Sequence, residues 1–379
     1  MKRLFSLLKK EPMLTLSLAA ALAGLVITPP TAALIGEIDW RTLGILLMML
    51  SVLEGFKQEN VLRPVVNLAG NLRTMVSLSM FLVFGVFFAS MFVTNDVSLL
   101  IFVPLTILLF RSANKEKYIL PVISMENIAA IRGSLLTPFG SPQNLFLYGQ
   151  ANISAGKFML HMLPLCLMSA VLLVVFILFL YRKDLREEAV YKKEALMPEA
   201  KGSLRWMYLG LFVLILLVIV TRTALWPAAL AVVLAVIAAA DRKLFRKVDY
   251  VLLITFLCFF VFSSSIAGNP AIAGFLGRTV AGHEYWWAIG LSQIISNVPA
   301  SIVLYPFTEN FAGLIYGADT AGLCSLIGSL ASVINYRIYV REYPGQGGRF
   351  VKTFTLVSWA FFMIVVIPGL LLSGWDFFS

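Results

Sequence analysis

The chain has 379 residues, 60% of them apolar and only 13% charged, whereas an ordinary soluble domain is about 45–50% apolar and about 25% charged. Such a chain cannot cover its own surface with polar groups, which excludes a water-soluble globule, a disordered segment and a disulfide scaffold. The net charge of +10 does not indicate nucleic acid, because the 30 Lys and Arg fall in short clusters between apolar runs and not along one face.

In chain order, the basic start Met1 to Lys10 leads into an apolar run at 13–30. It imitates a signal peptide, but no small-residue cleavage site precedes Pro29-Pro30, so it reads as a first membrane helix. Further runs near the 17–25 residues that span a bilayer lie at 40–56, 118–136, 157–181, 205–222, 225–241, 249–266, 319–336 and 352–373. These make about nine crossings. With the amino terminus in the cytoplasm and the carboxyl terminus outside, all basic residues but Arg41, Arg132, Lys157, Arg222 and Arg278 fall on the cytoplasmic side, as the positive-inside bias demands. The expected location is the cell membrane.

The stretch 74–110 is bounded by Arg73 and Arg111, both on that side, and is interrupted by Thr94-Asn95-Asp96. It enters and returns, and its second leg, Val97 to Phe110, reads as too short to cross. It is therefore expected to be a re-entrant hairpin. Polar backbone at membrane depth persists only where protein buries it or a watery cavity meets it, which makes the tip a candidate site. Sliding the chain along itself aligns 94–106 with 296–308, Asn95, Pro104 and Thr106 meeting Asn297, Pro306 and Thr308 at an offset of 202. The stretch 284–317 is thus a second hairpin. Asp39-Trp40 matches Asp249-Tyr250, Gly133-Ser134-Leu135 matches Gly328-Ser329-Leu330, and Gly156-Lys157-Phe158 matches Gly348-Arg349-Phe350.

The expected fold is an all-α polytopic membrane protein with an inverted-topology repeat, two re-entrant hairpins and two broken helices. The first repeat, 1–182, holds scaffold helices within 13–56, an arm at 57–73, the hairpin, a broken helix at 118–152 and a helix at 157–181. A cytoplasmic linker, 183–204, follows. The second repeat, 205–379, holds scaffold helices within 205–266, an arm at 267–283, the hairpin 284–317, a broken helix at 319–340 and a helix at 352–373.

At TNDVSLLIFVPLT (94–106), GSLLTPFGSPQN (133–144) and SQIISNVPASIVL (292–304) the chain resembles the ion transporter superfamily. That group includes divalent anion:sodium symporters, citrate transporters, arsenite permeases and one type of sodium/proton antiporter. The resemblance implies an elevator-like carrier whose hairpin tips and helix breaks form the binding sites. It maps a first site onto Thr94, Asn95, Asp96, Gly133, Thr137, Pro138, Gly140, Ser141 and Asn144. A second maps onto Ser296, Asn297, Val298, Pro299, Gly328, Ser329 and Ser332. Sodium-coupled dicarboxylate members usually carry Ser-Asn-Thr at both tips, whereas Asp96 is more like the arsenite and antiporter branches.

Asn95 and Asn297 offer an acceptor oxygen and two donors each; they either cap the turns or hold a cation and an anion, with Asp96 as a further Na+ ligand. Asp96 must bind a cation, pair or take up a proton, because burial alone as an anion is costly, and it also suits a cap for a helix starting at Val97. The run Thr137 to Pro142 cannot continue a helix; it either leaves carbonyls free for Na+ or forms a surface loop. Glu126 and Arg132, six residues and so 240° apart on one helix, need not pair. Arg132 either holds substrate charge or snorkels outward. Glu54 is expected to be solvated, His161 and His283 interfacial, and Trp286 and Trp287 belt aromatics. Cys166, Cys258 and Cys324 form neither a disulfide framework nor a zinc site.

The function expected is secondary transport of a small anion, a di- or tricarboxylate or an oxyanion, coupled to Na+ or H+. The alternatives are an arsenite-type efflux permease or Na+/H+ antiporter. A channel or an intramembrane enzyme is a more distant class, since no metalloprotease, metal-cluster or nucleotide-loop motif occurs. No cofactor is expected beyond the coupling ion. The expected partners are the lipid bilayer, the small anionic substrate, the coupling cation and a second copy joined through the scaffold helices.

Overall fold

The computed structural model describes residues 12–28, 36–61, 68–69, 72–189, 204–308 and 310–375. Among the described residues the chain is all-helical, with one isolated bridge between Thr74 and Glu188. The helices are α1 (Pro12–Ile27), α2 (Trp40–Gln58), α3 (Met75–Val93), α4 (Asn95–Ser112), α5 (Ile119–Ser134), α6 (Pro142–Gln150), α7 (Ala155–Leu180) and α8 (Arg205–Thr221). They continue as α9 (Trp226–Ala240), α10 (Tyr250–Ala267), α11 (Pro270–Val280), α12 (Glu284–Ile295), α13 (Asn297–Leu304), α14 (Phe311–Ala321), α15 (Leu330–Glu342) and α16 (Gly347–Ser373).

Five of these helices, α3, α4, α7, α10 and α16, are long and apolar enough to cross a membrane. At 1.5 Å per residue the 26 residues of α7 and the 27 of α16 reach about 40 Å. Their outer faces carry Leu160, Val171 and Phe179, and Leu356, Met363 and Leu371, all exposed, a surface suited only to lipid.

The same order of elements occurs twice, and the two series interlock. Helix α1 packs on α10 and α9 packs on α2, while α8, which opens the second repeat and has no counterpart in the first, also packs on α2. Small residues permit this: a Cβ at Gly24 would come within 3.0 Å of Ser265 Cβ, and one at Gly44 within 2.6 Å of the Trp226 ring. Two aspartates start α2 and α10 in the same way. Asp39 (φ −76°, ψ 79°) accepts from the Thr42 amide at 2.9 Å, and Asp249 (φ −77°, ψ 81°) from the Leu252 amide at 3.1 Å. Each satisfies an amide that a helix start leaves free.

Several elements differ from the sequence reading. The second leg of the first hairpin is longer than 97–110: α4 starts at Asn95, continues through Pro104 to Ser112 and is long enough to cross, so its length does not make that hairpin re-entrant. The region 284–317 holds both the α12–α13 hairpin and most of α14, while 319–336 straddles the break between α14 and α15. The Gly-Ser-Leu match pairs unlike positions: Gly133 lies in the last turn of α5, whereas Gly328 lies in the loop before α15. The position corresponding to Gly328-Ser329 is Gly140-Ser141, just ahead of α6. In the first arm 62–67 and 70–71, and in the linker 190–203, lie outside the described residues.

Candidate functional site

Both hairpins turn on one residue held in the same unusual conformation. Thr94 has φ 69° and ψ 158°, and Ser296 has φ 69° and ψ 159°. This region of backbone space is otherwise occupied essentially by glycine and costs about 1–3 kcal/mol for a residue with a Cβ; such strain gathers at functional sites. Helices α4 and α13 begin immediately after these turns. At the first tip the Thr94 carbonyl accepts from the Ser98 amide at 3.2 Å and the Ser98 hydroxyl at 2.7 Å. At the second, the Ser296 carbonyl accepts from the Ala300 amide at 3.1 Å.

Each tip meets the broken helix that follows it. The Thr137 hydroxyl donates to the Met91 carbonyl at 2.6 Å, joining the first break to the first hairpin. The Asn297 amide donates to the Gly328 carbonyl at 3.2 Å, joining the second tip to the second break. Gly140 and Gly328 allow the chain to fold back, since a Cβ on either would stand 2.3 Å from a carbonyl oxygen, of Ser134 and Ala321 respectively. Gly133 serves packing instead: a Cβ there would lie 2.0 Å from the Phe87 carbonyl oxygen on α3. Ser141 caps α6 and Ser329 stands at the cap of α15. The Asn144 side chain donates to the carbonyls of Ser134, Leu135 and Thr137 at 3.1–3.3 Å, so the Thr137 carbonyl, the one of the three in the run read from sequence as free for a cation, already has a donor. Ser332 donates to the Gly322 carbonyl at 3.5 Å in the corresponding place. Pro138, Val298 and Pro299 are buried.

Helices α4 and α15 pack together, as do α13 and α6, and contacts at their far ends show that each pair runs parallel. Arg111 near the end of α4 lies 3.4 Å from Glu342 at the end of α15, and the Tyr305 hydroxyl just past α13 donates to Gln150 at the end of α6 at 3.1 Å. The amino termini of all four helices therefore lie at the tip-and-break level, where their amides and dipoles favour an anion.

Asn95 and Asn297 are buried and no hydrogen bond joins them. Asn95 Oδ1 accepts from the Asp96 amide at 2.9 Å. Asp96 does not cap α4; its Oδ1 has no hydrogen-bond partner. It faces a cavity of about 150 Å³ whose lining includes Glu54, Ser141, Lys247 and Asp249. Glu54, expected in solvent, is mostly covered and paired with Lys57. A second cavity, of about 380 Å³, is lined by Glu37, Asp39, Gln150, Ser263, Ser264 and Tyr305. Asp39 and Asp249 thus stand in different cavities.

Glu126 and Arg132 do not pair. The Thr106 hydroxyl donates to Glu126 Oε1, and Arg132 forms a buried ion pair with Asp319 on α14, with a further bond to the Thr320 hydroxyl at 3.3 Å. Neither charge snorkels: Arg132 is 0% and Asp319 1% exposed. Sequence reasoning missed Asp319, and the one signal for it was a lone carboxylate in an apolar run. His161, expected at an interface, is buried, its ring 5.4 Å from that of Tyr316, because α14 covers this end of α7. Gln150, which accepts from Tyr305 and donates to Asp39 at 2.8 Å, was also missed. Among the described residues no cluster of His, Cys, Asp and Glu could hold a metal, and the three cysteines are free.

Residues 4–328 match the family described as Citrate transporter. The inner membrane protein YbiR of Escherichia coli is 34% identical over 69% of each chain. An uncharacterised transporter of Methanocaldococcus jannaschii is 32% identical over 68% of this chain and 69% of its own. A crystal structure of the Alcanivorax borkumensis YdaH transporter, at 14% identity, overlays 96% of each chain with a TM-score of 0.54; at that identity the likeness concerns the fold.

Proposed function

The chain belongs to the citrate transporter family, as a multi-pass membrane transporter and not an enzyme, and from that premise we propose that it is a secondary carrier of a small anion, coupled to Na+ or H+. The substrate class is a di- or tricarboxylate or an oxyanion. The observation that carries this reading is the pair of hairpins, whose turns at Thr94 and Ser296 are strained alike and which are bound to the broken helices through Met91 and Asn297. The amino termini of α4, α6, α13 and α15 lie at their level and favour negative charge.

On this reading the hairpins are re-entrant, the two series are inverted in the inner membrane, and the amino terminus is cytoplasmic. The hairpins, broken helices, α7 and α16 form the moving unit. Helices α1, α2 and α8 to α10 form the scaffold, which also supplies the contact to a second copy. The acidic cavity would open to the cytoplasm, because Lys57 and Lys247 belong to clusters that the positive-inside bias assigns there. Asp39, Gln150 and Tyr305 would close the outer side, with movement of the unit exchanging the two openings.

One observation favours a second reading, cation/proton antiport. The carboxylates Glu54, Asp96 and Asp249 line the cavity at the first tip, and Lys57, one of its two lysines, is engaged by Glu54.

Proteoliposomes test both readings. Saturable, gradient-driven uptake of labelled carboxylates or oxyanions is expected, lost in Asn95→Ala and in Asn297→Ala while the folded protein stays in the membrane. Asp96→Asn is expected to shift the Na+ or pH dependence of flux. Flux faster than about 10⁵ per second, well beyond the usual 1–10³ per second of enzyme-like turnover, would indicate a channel. Normal flux in either asparagine variant would remove that residue from the site. Cation exchange without anion flux would select the second reading.

A further inference from the structure

Helices α4, α5 and α15 pack against one another in all three pairings. At their junction, on the side of the breaks toward Arg111 and Glu342, the carboxyl and amide side chains of Glu126 and Asn127 on α5 and Asn335 on α15 are wholly buried. Each has one oxygen without a hydrogen-bond partner, namely Glu126 Oε2, Asn127 Oδ1 and Asn335 Oδ1.

The surrounding bonds fix how these groups are turned. Asn335 Nδ2 donates to the Ile123 carbonyl at 2.7 Å; a carbonyl only accepts, so Oδ1 must point away from it. Asn127 Nδ2 donates to the Ser332 hydroxyl at 3.0 Å, and that hydroxyl donates onward to the Gly322 carbonyl. Thr106 donates to Glu126 Oε1, which leaves Oε2 free. Arg132 offers no compensation, since its charge is engaged by Asp319. Three buried acceptors without a donor need an explanation. A single proton on Glu126 would give one donor for three oxygens. A dehydrated monovalent cation bound there would have its charge balanced by the one carboxylate; a divalent ion usually draws more carboxylates.

We propose that the junction of α4, α5 and α15 is a Na+ site, with Glu126 Oε2, Asn127 Oδ1 and Asn335 Oδ1 as ligands. The assignment deepens the coupled-transport reading and rests on it only for the role of the ion. Because Asn127 reaches the second break through Ser332 and Gly322, an ion here would hold α15 against α5 and so tie ion occupancy to the shape of that break. The site is separate from the Asp96 cavity, whose lining includes none of its three ligands.

The test uses purified full-length protein without any substrate. Binding of ²²Na+ is measured at constant ionic strength with choline as the replacing ion, together with thermal unfolding in NaCl against choline chloride. Saturable binding and a higher Tm in Na+ are expected. Glu126→Gln, which keeps the volume and a partner for Thr106, and Asn335→Ala should each weaken binding at least tenfold. Unchanged binding in both variants, no Na+ binding by the wild type, or loss in Asp96→Asn with retention in Glu126→Gln would each overturn the site. If either variant does not fold, Tl+ soaked into wild-type crystals decides: an anomalous peak among the three oxygens supports the site, and its absence refutes it. Intact Na+ binding without coupled flux would count against the transport reading and leave the site standing.

Discussion

Replacing Asp319 with Asn should be among the most damaging single changes in the core. Arg132 and Asp319 are almost completely hidden from solvent and join α5 to α14, the first halves of the two broken helices. After the substitution the guanidinium keeps its charge in a medium of low dielectric. Its partners are then neutral, the new amide oxygen and the Thr320 hydroxyl at 3.3 Å, and its Nε has none. Breaking such a pair from one side costs about 3–5 kcal/mol, a large share of the roughly 5–15 kcal/mol that holds a typical native protein together. Arg132→Met should do comparable harm by leaving the carboxylate alone. The double variant Arg132→Met with Asp319→Leu should recover most of the loss, since a well-packed apolar pair often equals or exceeds a buried ion pair. Unfolding in mixed micelles, followed by tryptophan fluorescence, gives the three free energies and closes the cycle. A loss under about 1 kcal/mol in both single variants would show that the pair is solvated or replaceable. A double variant as unstable as the two losses summed would show that the charges do not depend on one another.

The strained tips make a further, opposite expectation. Thr94→Gly and Ser296→Gly should each raise stability by about 0.5–2 kcal/mol, the relief of strain less the added freedom of the unfolded chain, while slowing flux. Unfolding and proteoliposome uptake measured on the same preparations check this, and a loss of stability in both would refute the strain argument. At the basic face, burial pushes the Glu187 carboxyl up. The hydrogen bonds from Lys115 and Tyr118, with the charges of Lys115 and Lys117, outweigh this and leave it below the usual carboxylate range. Its contribution is therefore present above the ordinary Glu pKa of about 4.3 and lost as pH falls through the lowered value. Glu187→Gln should flatten that acid limb of the stability profile, and an unchanged limb would refute the assignment.

What could be read from the residues depended on whether the physics was local. Thr94-Asn95-Asp96 and Ser296-Asn297 stand out because polar residues interrupt long apolar runs, and the offset of 202 brings together two turns with nearly identical backbone angles. The match of Asp39-Trp40 with Asp249-Tyr250 likewise brought together two helix caps. The break after α14 falls inside the broken helix expected at 319–340, yet 319–336 also read as one unbroken span, because 322–329, Gly-Leu-Cys-Ser-Leu-Ile-Gly-Ser, contains no proline and remains apolar enough to extend a helix. The Gly-Ser-Leu match misled because three common residues recurred in unlike places. Arg132 could not be assigned a partner because Asp319 lies 187 positions away and only the packing of α5 with the second series brings it near. Glu126, Asn127 and Asn335 belong to the same class: which oxygens lack a donor is decided by the fold and not by any one segment.

The interlocking of α1 with α10 and of α9 with α2 has a consequence for biogenesis. Helix α1 has to wait in the lipid for a companion encoded deep in the second half, so neither half can mature alone. Insertion must run ahead of assembly, and a chain cut in the 183–204 linker should become functional only when both pieces are made in the same cell.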